Sequence, residues 1–375
     1  MNVPLHSPDV PPSDDCLDAI VIGAGQAGLA LAWHLARQGR RFLVLDAAPE
    51  LGHSWRTRWD SLRLFSPAQY DGLPGMNFPA PADTYPTKDQ VADYLAEYAD
   101  RFGLPVLLNT AVTRVEQLTD RFAVHTTQGK LRARQVVVAT GPFQTPVVPA
   151  IAEGLDRSVL QLHSAEYRNP QQVPPGPVLV VGAGNSGLQI AEELADEHAV
   201  TVAVGAKALE LPQRILGRDL FWWLTKLGVI TKTADSRLAR RMRARGDLII
   251  GSSLKALRRR GITIRPRVVA TSLDEVSFAD GTRTAPASVI WATGFRSDYS
   301  WIDVAGVVSD GTVVHERGVT RVPGLYFLGL PWQHTRGSAL LGFVKDDAAW
   351  IAEQMYPQGA TAQDIPPHPL TLPGA

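Results

Sequence analysis

The sequence predicts an α/β protein made of two dinucleotide-binding, Rossmann-like domains, each of three layers with a parallel sheet between helices. Three observations predict it. Near the start, the apolar run Ala19–Ile22 enters the loop Gly23-Ala24-Gly25-Gln26-Ala27-Gly28, and an Ala/Leu-rich segment follows. The same order returns as Val178–Val181, Gly182-Ala183-Gly184-Asn185-Ser186-Gly187 and Leu188–Leu194. Each half also contains an apolar strand that closes on Thr-Gly, in Ala139-Thr140-Gly141 and Ala292-Thr293-Gly294.

In such a loop the first glycine, Gly23, allows the tight turn, and Gly25 lets the backbone approach a pyrophosphate. Gly28 lets the helix pack close to the strand, and the pyrophosphate sits on the helix N-terminus, where amides point outward. Gln26 and Ala27 complete this first cofactor loop. The helix is predicted from Leu29 to Gln38, stopped by Gly39. The next strand, Arg41–Leu45, ends in Asp46, about 20 residues past the loop, where a carboxylate accepts from adenosine ribose hydroxyls. Ala47 stands beside it in the same site. The dense aromatic and polar stretch that follows, through Ser54, Trp55, Arg56 and Ser66, reads as lining for the reactive end of the cofactor. Apolar Val91, Tyr94, Leu95 and Tyr98 predict a helix over Asp89–Phe102. Val106–Leu108, Val112–Leu118, Phe122–Thr126 and Gln135–Ala139 read as strands, with a hairpin turn at Gln128-Gly129. Val112 is assigned to the first cofactor site.

A Pro-rich stretch from Tyr167 to Pro177 reads as a linker. In the second unit, Val200–Val204 ends in Gly205-Ala206-Lys207 rather than in an acid. A ribose hydroxyl prefers a carboxylate there and a 2′-phosphate prefers a cation. Lys207, with Arg214 or Arg218, therefore points to NADPH, with NADH possible. Leu209–Gly261 is mostly helical by composition and carries Phe221-Trp222-Trp223. Its arginines (Arg237, Arg240, Arg241, Arg243, Arg245, Arg258, Arg259, Arg260) read as a solvated helix face, since no aromatics interleave them. Ile262–Ile264, Val268–Ser272 and Val289–Ala292 are predicted strands, with a turn at Asp280-Gly281. A strand over Gly324–Gly329 ends at Gly329, assigned to the first site. The polar loop Pro331–Arg336, with Gln333 and His334, leads to a last helix near Asp346–Met355. The predicted units are a tail over 1–17, a discontinuous first domain over 18–168 and 297–375, and a second domain over 172–296.

Composition narrows the class. The 375 residues are 45% hydrophobic and 20% charged with zero formal net charge, which argues against nucleic acid or an anionic membrane as a partner. A single cysteine, Cys16, excludes an internal disulfide and a C-x-x-C pair and fits a reducing cytoplasm. The Pro/Ser/Asp-rich start lacks a signal-peptide pattern. No apolar run is long enough to span a bilayer. The nine histidines show no paired zinc spacing, so no metal is expected.

Two dinucleotide sites in one chain imply two cofactors that meet: a nicotinamide that gives hydride and an acceptor, for which FAD in the first site is the natural choice. At these residues the chain resembles the flavin-containing monooxygenases and their bacterial relatives, including the trimethylamine and Baeyer–Villiger branches, over about Asp18 to Met355. Gly23–Gly28 with Asp46 matches that family's FAD fingerprint and Gly182–Gly187 its NADP fingerprint. Ala139-Thr140-Gly141 and Ala292-Thr293-Gly294-Phe295 resemble its domain-linking A-T-G elements, and Gly52-His53-Ser54-Trp55 its G-G-x-W with the second glycine lost. Leu162–Tyr167 resembles the second half of F-x-G-x-x-x-H-x-x-x-[YF], with Arg157 and Val159 in place of the Phe and Gly. Phe65-Ser66 falls where many members carry an Asn near the flavin.

The resemblance implies the two-domain fold of the glutathione-reductase type. It implies reduction of FAD by NAD(P)H, reaction with dioxygen at the flavin C4a, and oxygen transfer to a small sulfide or amine, or insertion beside a ketone. The alternatives are an NAD(P)H oxidase or reductase without oxygen transfer, and a redox-sensing flavoprotein. Trp55, Arg56, Ser66, Gln333 and His334 are the candidates to hydrogen-bond the ring or move a proton. His163 is expected to steady the domain junction. The substrate pocket is expected between the loop after Arg56, Phe221–Trp223 and Pro331–Arg336. A homodimer is a further expectation.

Overall fold

The computed structural model describes residues 15–206, 208–244, 246 and 248–357. The residues 1–14 of the predicted tail, together with Lys207 and Arg245, lie outside the described residues.

The first strand is Cys16–Ile22, starting inside the stretch read as tail. Leu17, Ala19, Ile20 and Val21 are all buried, so the sheet accepts the whole run. It runs parallel to Phe42–Leu45 on one side and to the long strand Gly129–Val138 on the other. That long strand changes partner along its length. Its first half pairs antiparallel with Phe122–Thr126, and its last residues, Val136 to Val138, pair parallel with Leu325–Phe327 from near the end of the chain. Val106–Leu107 closes one edge of the sheet, while Val112–Gln117 and Ile302–Asp303 close the other. Two helices cover one face: Gln26–Arg37, and Val344–Met355, which packs against it. Lys88–Arg101 adds a third, opened by a capping box in which Thr87 and Gln90 exchange hydrogen bonds.

A second sheet is wholly parallel, in the order Thr263–Pro266, Val200–Val204, Val178–Val181, Ser288–Trp291 and Leu160–His163. Near-continuous Val, Ile and Leu suit strands buried on both faces. The edge strand Leu160–His163 comes from residues that the sequence grouped with the first unit.

The segment 209–261 departs from its helical expectation. It holds three short helices, Leu220–Lys226, Arg237–Ala244 and Leu254–Arg259, between the short strands Leu209–Leu211, Arg214–Ile215, Arg218–Asp219 and Leu248–Ile250. Glycines at positive φ (Gly217, Gly228, Gly246, Gly251) cut the segment into pieces too short for long helices. Arg237, Arg240, Arg241 and Arg243 are exposed around a single buried residue of their helix, Ala239. No helix among the described residues is long and apolar enough to cross a membrane.

Candidate cofactor-binding and active site

The two Gly-rich loops fold alike because each is held by the carbonyl of its own Thr-Gly strand. Gly23 adopts φ +109°, and a Cβ there would lie 2.5 Å from the Ala139 carbonyl oxygen. Gly182 adopts φ +114°, with its Cβ position 2.2 Å from the Ala292 oxygen. The third glycines repeat the agreement: a Cβ on Gly28 would meet the Gly23 oxygen at 1.9 Å, and one on Gly187 the Gly182 oxygen at 2.1 Å. The middle glycines differ from all four. Gly25 and Gly184 have nothing within 4 Å of the Cβ position, and each is the N-cap of its helix, Gln26–Arg37 or Asn185–Leu194. Two helix N-termini thus face open space, the arrangement that receives a diphosphate. Gln26 and Ala27 stand in the first turn of one helix, Asn185 and Ser186 in that of the other.

Asp46 lies against the first loop. Its Oδ2 accepts from the Ala24 amide at 2.7 Å and its Oδ1 from the Ala48 amide at 2.9 Å. Each oxygen keeps a lone pair for a ribose hydroxyl. Ala47, beside it, is exposed. The Thr110 amide donates to the Asp46 carbonyl at 2.8 Å, which brings Val112, the start of the next strand, to the same corner. Gly329, at φ +84°, comes so close to the loop that a Cβ would sit 2.9 Å from that of Ala27.

The second loop lacks such an acid, as the sequence shows, and the cations are distributed differently from the expectation. Arg214 is drawn away to the first unit, where its Nη2 lies 3.2 Å from Asp83 Oδ2. Arg218 lies over the Trp222 ring at 5.5 Å. Arg267, which sequence reasoning missed, reaches the end of Val200–Val204, its Nη2 3.4 Å from the Gly205 carbonyl oxygen. With Gly182, Gly205, Thr293 and Pro149 it lines a cavity of about 250 Å³. Asn185 is held by strand Leu248–Ile250: its Nδ2 donates to the Leu248 carbonyl at 2.8 Å and its Oδ1 accepts from the Ile250 amide at 3.0 Å.

The two Thr-Gly turns meet at the junction. Phe295–Arg296 pairs antiparallel with Thr145–Pro146, and the Val147 amide donates to the Gly294 carbonyl at 3.0 Å. Thr293 Oγ1 donates to the Val147 carbonyl. Across the first turn, Gln144 Nε2 donates to Thr140 Oγ1 and to the Gly141 carbonyl, both at 2.9 Å. Buried His163 accepts the Ala165 amide at Nδ1, so its Nε2 carries the proton that meets the Gly294 carbonyl at 3.0 Å. Burial pushes its pKa down, which keeps the ring neutral and in that tautomer.

The sequence-derived ring candidates stand in three places. Ser54 and Trp55 lie in the short helix His53–Arg56, which packs on Lys88–Arg101 so closely that a Cβ on Gly52 would meet the Ala92 backbone at 2.6 Å. Arg56 in that helix is paired, its Nη2 2.7 Å from Asp93 Oδ1. Gln333 is buried with its amide divided between two backbone groups, accepting from the Leu330 amide and donating to the Arg317 carbonyl, both at 3.2 Å. His334 has its backbone tied to Ser338 Oγ and Ala234, and partial burial lowers its pKa. Ser66 is buried, with its hydroxyl donating to Asp71 Oδ1 at 2.6 Å.

Asp71 was not legible. It reads as a turn residue before Gly72, yet it is fully buried, its Oδ2 has no partner, and burial pushes its pKa up to about 7.

Of the three segments expected around a substrate, the loop after Arg56 and Phe221–Trp223 touch directly, while Pro331–Arg336 is joined to residues 233 and 234 instead. Phe65 stacks on Phe221 at 6.0 Å, and Phe221 packs on Phe343 at 6.0 Å. Thr233 forms an antiparallel bridge to Thr335 in the polar loop, and the Ala234 amide donates to the His334 carbonyl at 2.7 Å. Asp219 secures this contact. Its Oδ1 caps the Phe221 amide at 2.6 Å, and its Oδ2 accepts from Tyr85 Oη and Gln213 Nε2 at 2.7 and 2.8 Å.

Residues 20–215 match a family model described as "Pyridine nucleotide-disulphide oxidoreductase". An uncharacterized CzcO-like oxidoreductase of Geobacillus kaustophilus is 47% identical, over 89% of this chain and 97% of that protein. A probable indole-3-pyruvate monooxygenase of Arabidopsis thaliana is 30% identical over 76% of each chain. Among solved structures, a flavin-containing monooxygenase from Stenotrophomonas maltophilia aligns with a TM-score of 0.76 at 31% identity, covering 91% of this chain and 98% of that one. The described fold and the order of its loops are those of two-dinucleotide flavoproteins, a family that uses FAD and NAD(P)H.

Proposed function

The chain belongs to the pyridine nucleotide-disulphide oxidoreductase family and is an oxidoreductase of the flavin monooxygenase-like kind, and on that premise we propose that it is an FAD-dependent, NAD(P)H-driven monooxygenase of a small sulfide, amine or ketone. The observation that carries the reading is the duplicated cradle, with Gly23 and Gly182 pinned under Ala139 and Ala292 while Gly25 and Gly184 stay open. A disulfide-passing role fails on chemistry, since Cys16 is the sole cysteine.

FAD supplies hydride acceptance and dioxygen activation when bound, and the chain's residues do the rest. The amides after Gly25 bind the FAD diphosphate, and Asp46 orients its ribose. The amides after Gly184 bind the nicotinamide dinucleotide, and Arg267 beside Gly205 favours a 2′-phosphate, hence NADPH over NADH. His163 holds the Gly294 turn so that the two cradles keep their relation. The rings of Phe65, Phe221 and Phe343 pack together into an apolar wall of the kind an oxygen transfer needs to stay dry. The 30%-identical relative named for indole-3-pyruvate, a 2-oxo acid, supports the ketone branch of the substrate class.

The test is an absorption spectrum of the purified protein, then NADPH and NADH oxidation with and without thioanisole and phenylacetone, with product analysis. Flavin bands and substrate-stimulated turnover with an oxygenated product are expected. Nicotinamide oxidation with no oxygenated product would assign an oxidase instead. A preparation that stays colourless after incubation with FAD would refute both.

A further inference from the structure

Arg58 and Arg168 stand at the junction of the two units, and neither has a carboxylate within ion-pair reach among the described residues. Arg58 Nε donates to the Ser54 carbonyl at 3.2 Å. Its guanidinium carbon lies 5.4 Å from the Phe143 ring and 5.2 Å from the Phe295 ring. Those rings meet edge to face at 5.3 Å. Phe143 follows Thr140-Gly141 and Phe295 follows Thr293-Gly294, so Arg58 sits where both Thr-Gly turns converge. Arg168 Nη1 donates to the Ala165 and Tyr167 carbonyls at 2.7 and 3.1 Å. The nearby acids are engaged elsewhere: Glu166 Oε2 accepts the His163 amide at 2.7 Å, and Asp60 Oδ2 accepts Asn169 Nδ2 at 2.8 Å. Burial, and then the charge of Arg168, push the Arg58 pKa down.

Arg58 and Arg168 are half-buried like charges with no carboxylate between them, and aromatic faces do not replace a carboxylate or phosphate. The place is also where a ligand lies, at the carboxyl ends of Gly129–Val138 and Ser288–Trp291, in the crevice of each parallel sheet. We propose that Arg58, backed by Arg168, is an oxyanion-docking site for a phosphate or carboxylate carried by a ligand bound between the two domains. The proposal rests on the two-cofactor reading for the ligand's location, and it names two sources: a phosphate of the nicotinamide dinucleotide, or a carboxylate on the oxidised substrate. The two Nη groups of Arg58 have no hydrogen-bond partner among the described residues, and the planar fork suits two parallel hydrogen bonds to such a group.

The experiment uses the flavin-loaded protein and three probes: NADP⁺, phenylpyruvate and phenylacetone. The last two differ by a carboxylate in place of a methyl group. Dissociation constants are read from flavin absorbance for wild type, Arg58→Met, Arg58→Lys and Arg168→Met. A tenfold or greater weakening of NADP⁺ in Arg58→Met, largely restored in Arg58→Lys, assigns the site to a dinucleotide phosphate. The same pattern for phenylpyruvate, with phenylacetone unchanged, assigns it to a substrate carboxylate. Values within twofold of wild type for both anions, or equal loss for phenylacetone without rescue by lysine, overturn the proposal. If Arg58→Met fails to retain flavin, competition by inorganic phosphate decides. Phosphate should displace an anionic probe from wild type and do so less well from Arg168→Met, and no difference overturns the proposal. A wild-type protein that takes up no flavin fails the two-cofactor reading instead, a result separable from these.

Discussion

Gly184→Val separates binding from folding. Gly184 has φ −83° and ψ −178°, ordinary extended backbone, and no atom lies within 4 Å of its Cβ position. Valine therefore meets no clash in the free protein. Replacing a glycine N-cap by valine costs about 0.5–1 kcal/mol, and the stiffer unfolded chain returns about as much. Stability should change by under about 1 kcal/mol, a melting shift of at most about 2–4 °C. A diphosphate on this helix end is another matter. The new side chain occupies the space in front of the amides, and two lost charge-assisted hydrogen bonds cost about 3–6 kcal/mol. That predicts at least about 100-fold weaker NADP⁺ binding. The purified variant should remain yellow and show no rapid bleaching of its flavin band when mixed with NADPH in a stopped-flow instrument. Gly25→Val, equally free of clash, should fold and lose FAD. A colourless Gly184→Val with a yellow Gly25→Val would reverse the order of the sites. Wild-type NADP⁺ affinity in Gly184→Val would refute the cradle argument itself.

Three more outcomes follow from the geometry. Arg267→Ala should lower the NADPH-to-NADH ratio of kcat/KM about tenfold, the worth of one exposed charge-assisted hydrogen bond, while kcat with NADH stays level. Asp71 stays protonated in the fold up to about pH 7, whereas the unfolded chain releases that proton near pH 3.9. Across that window the unfolded state binds fewer protons, so Asp71 lowers stability as pH rises, by on the order of 1.4 kcal/mol per pH unit. Asp71→Asn should remove that slope in urea unfolding measured between about pH 4 and 7, and parallel curves for the two proteins would contradict the burial argument. Asp219→Ala removes a helix cap and two side-chain partners and should cost about 2–4 kcal/mol. Faster proteolytic cleavage within 209–234 should accompany the loss, and Tyr85→Phe should reproduce only part of it.

How much of this was legible follows from which interactions are local. The two cradles were readable because strand, glycine spacing and helix lie within one short stretch, and Asp46 ends the next strand. Boundaries shifted by a few residues where caps decided them: Lys88 rather than Asp89 opens its helix because Thr87 caps it. The segment 209–261 misled because Ala, Leu and Arg content reports helix propensity, while its path is set by glycine turns and by contacts with residues 62–86. Arg214 followed from a local rule about the residues after a strand, and a long-range ion pair with Asp83 took it elsewhere. Arg267 and Asp71 carried no signal, since an arginine after a strand and an aspartate before a glycine are ordinary until the fold brings a cavity or a core around them.

The long strand with two successive neighbours has a bearing on synthesis. Val136–Val138 waits for Leu325–Phe327, and Gln26–Arg37 waits for Val344–Met355, so the unit begun first is completed last. The all-parallel sheet, whose strands fall between Leu160 and Trp291, is fully translated earlier and can close on the ribosome while its companion still exposes a bare face.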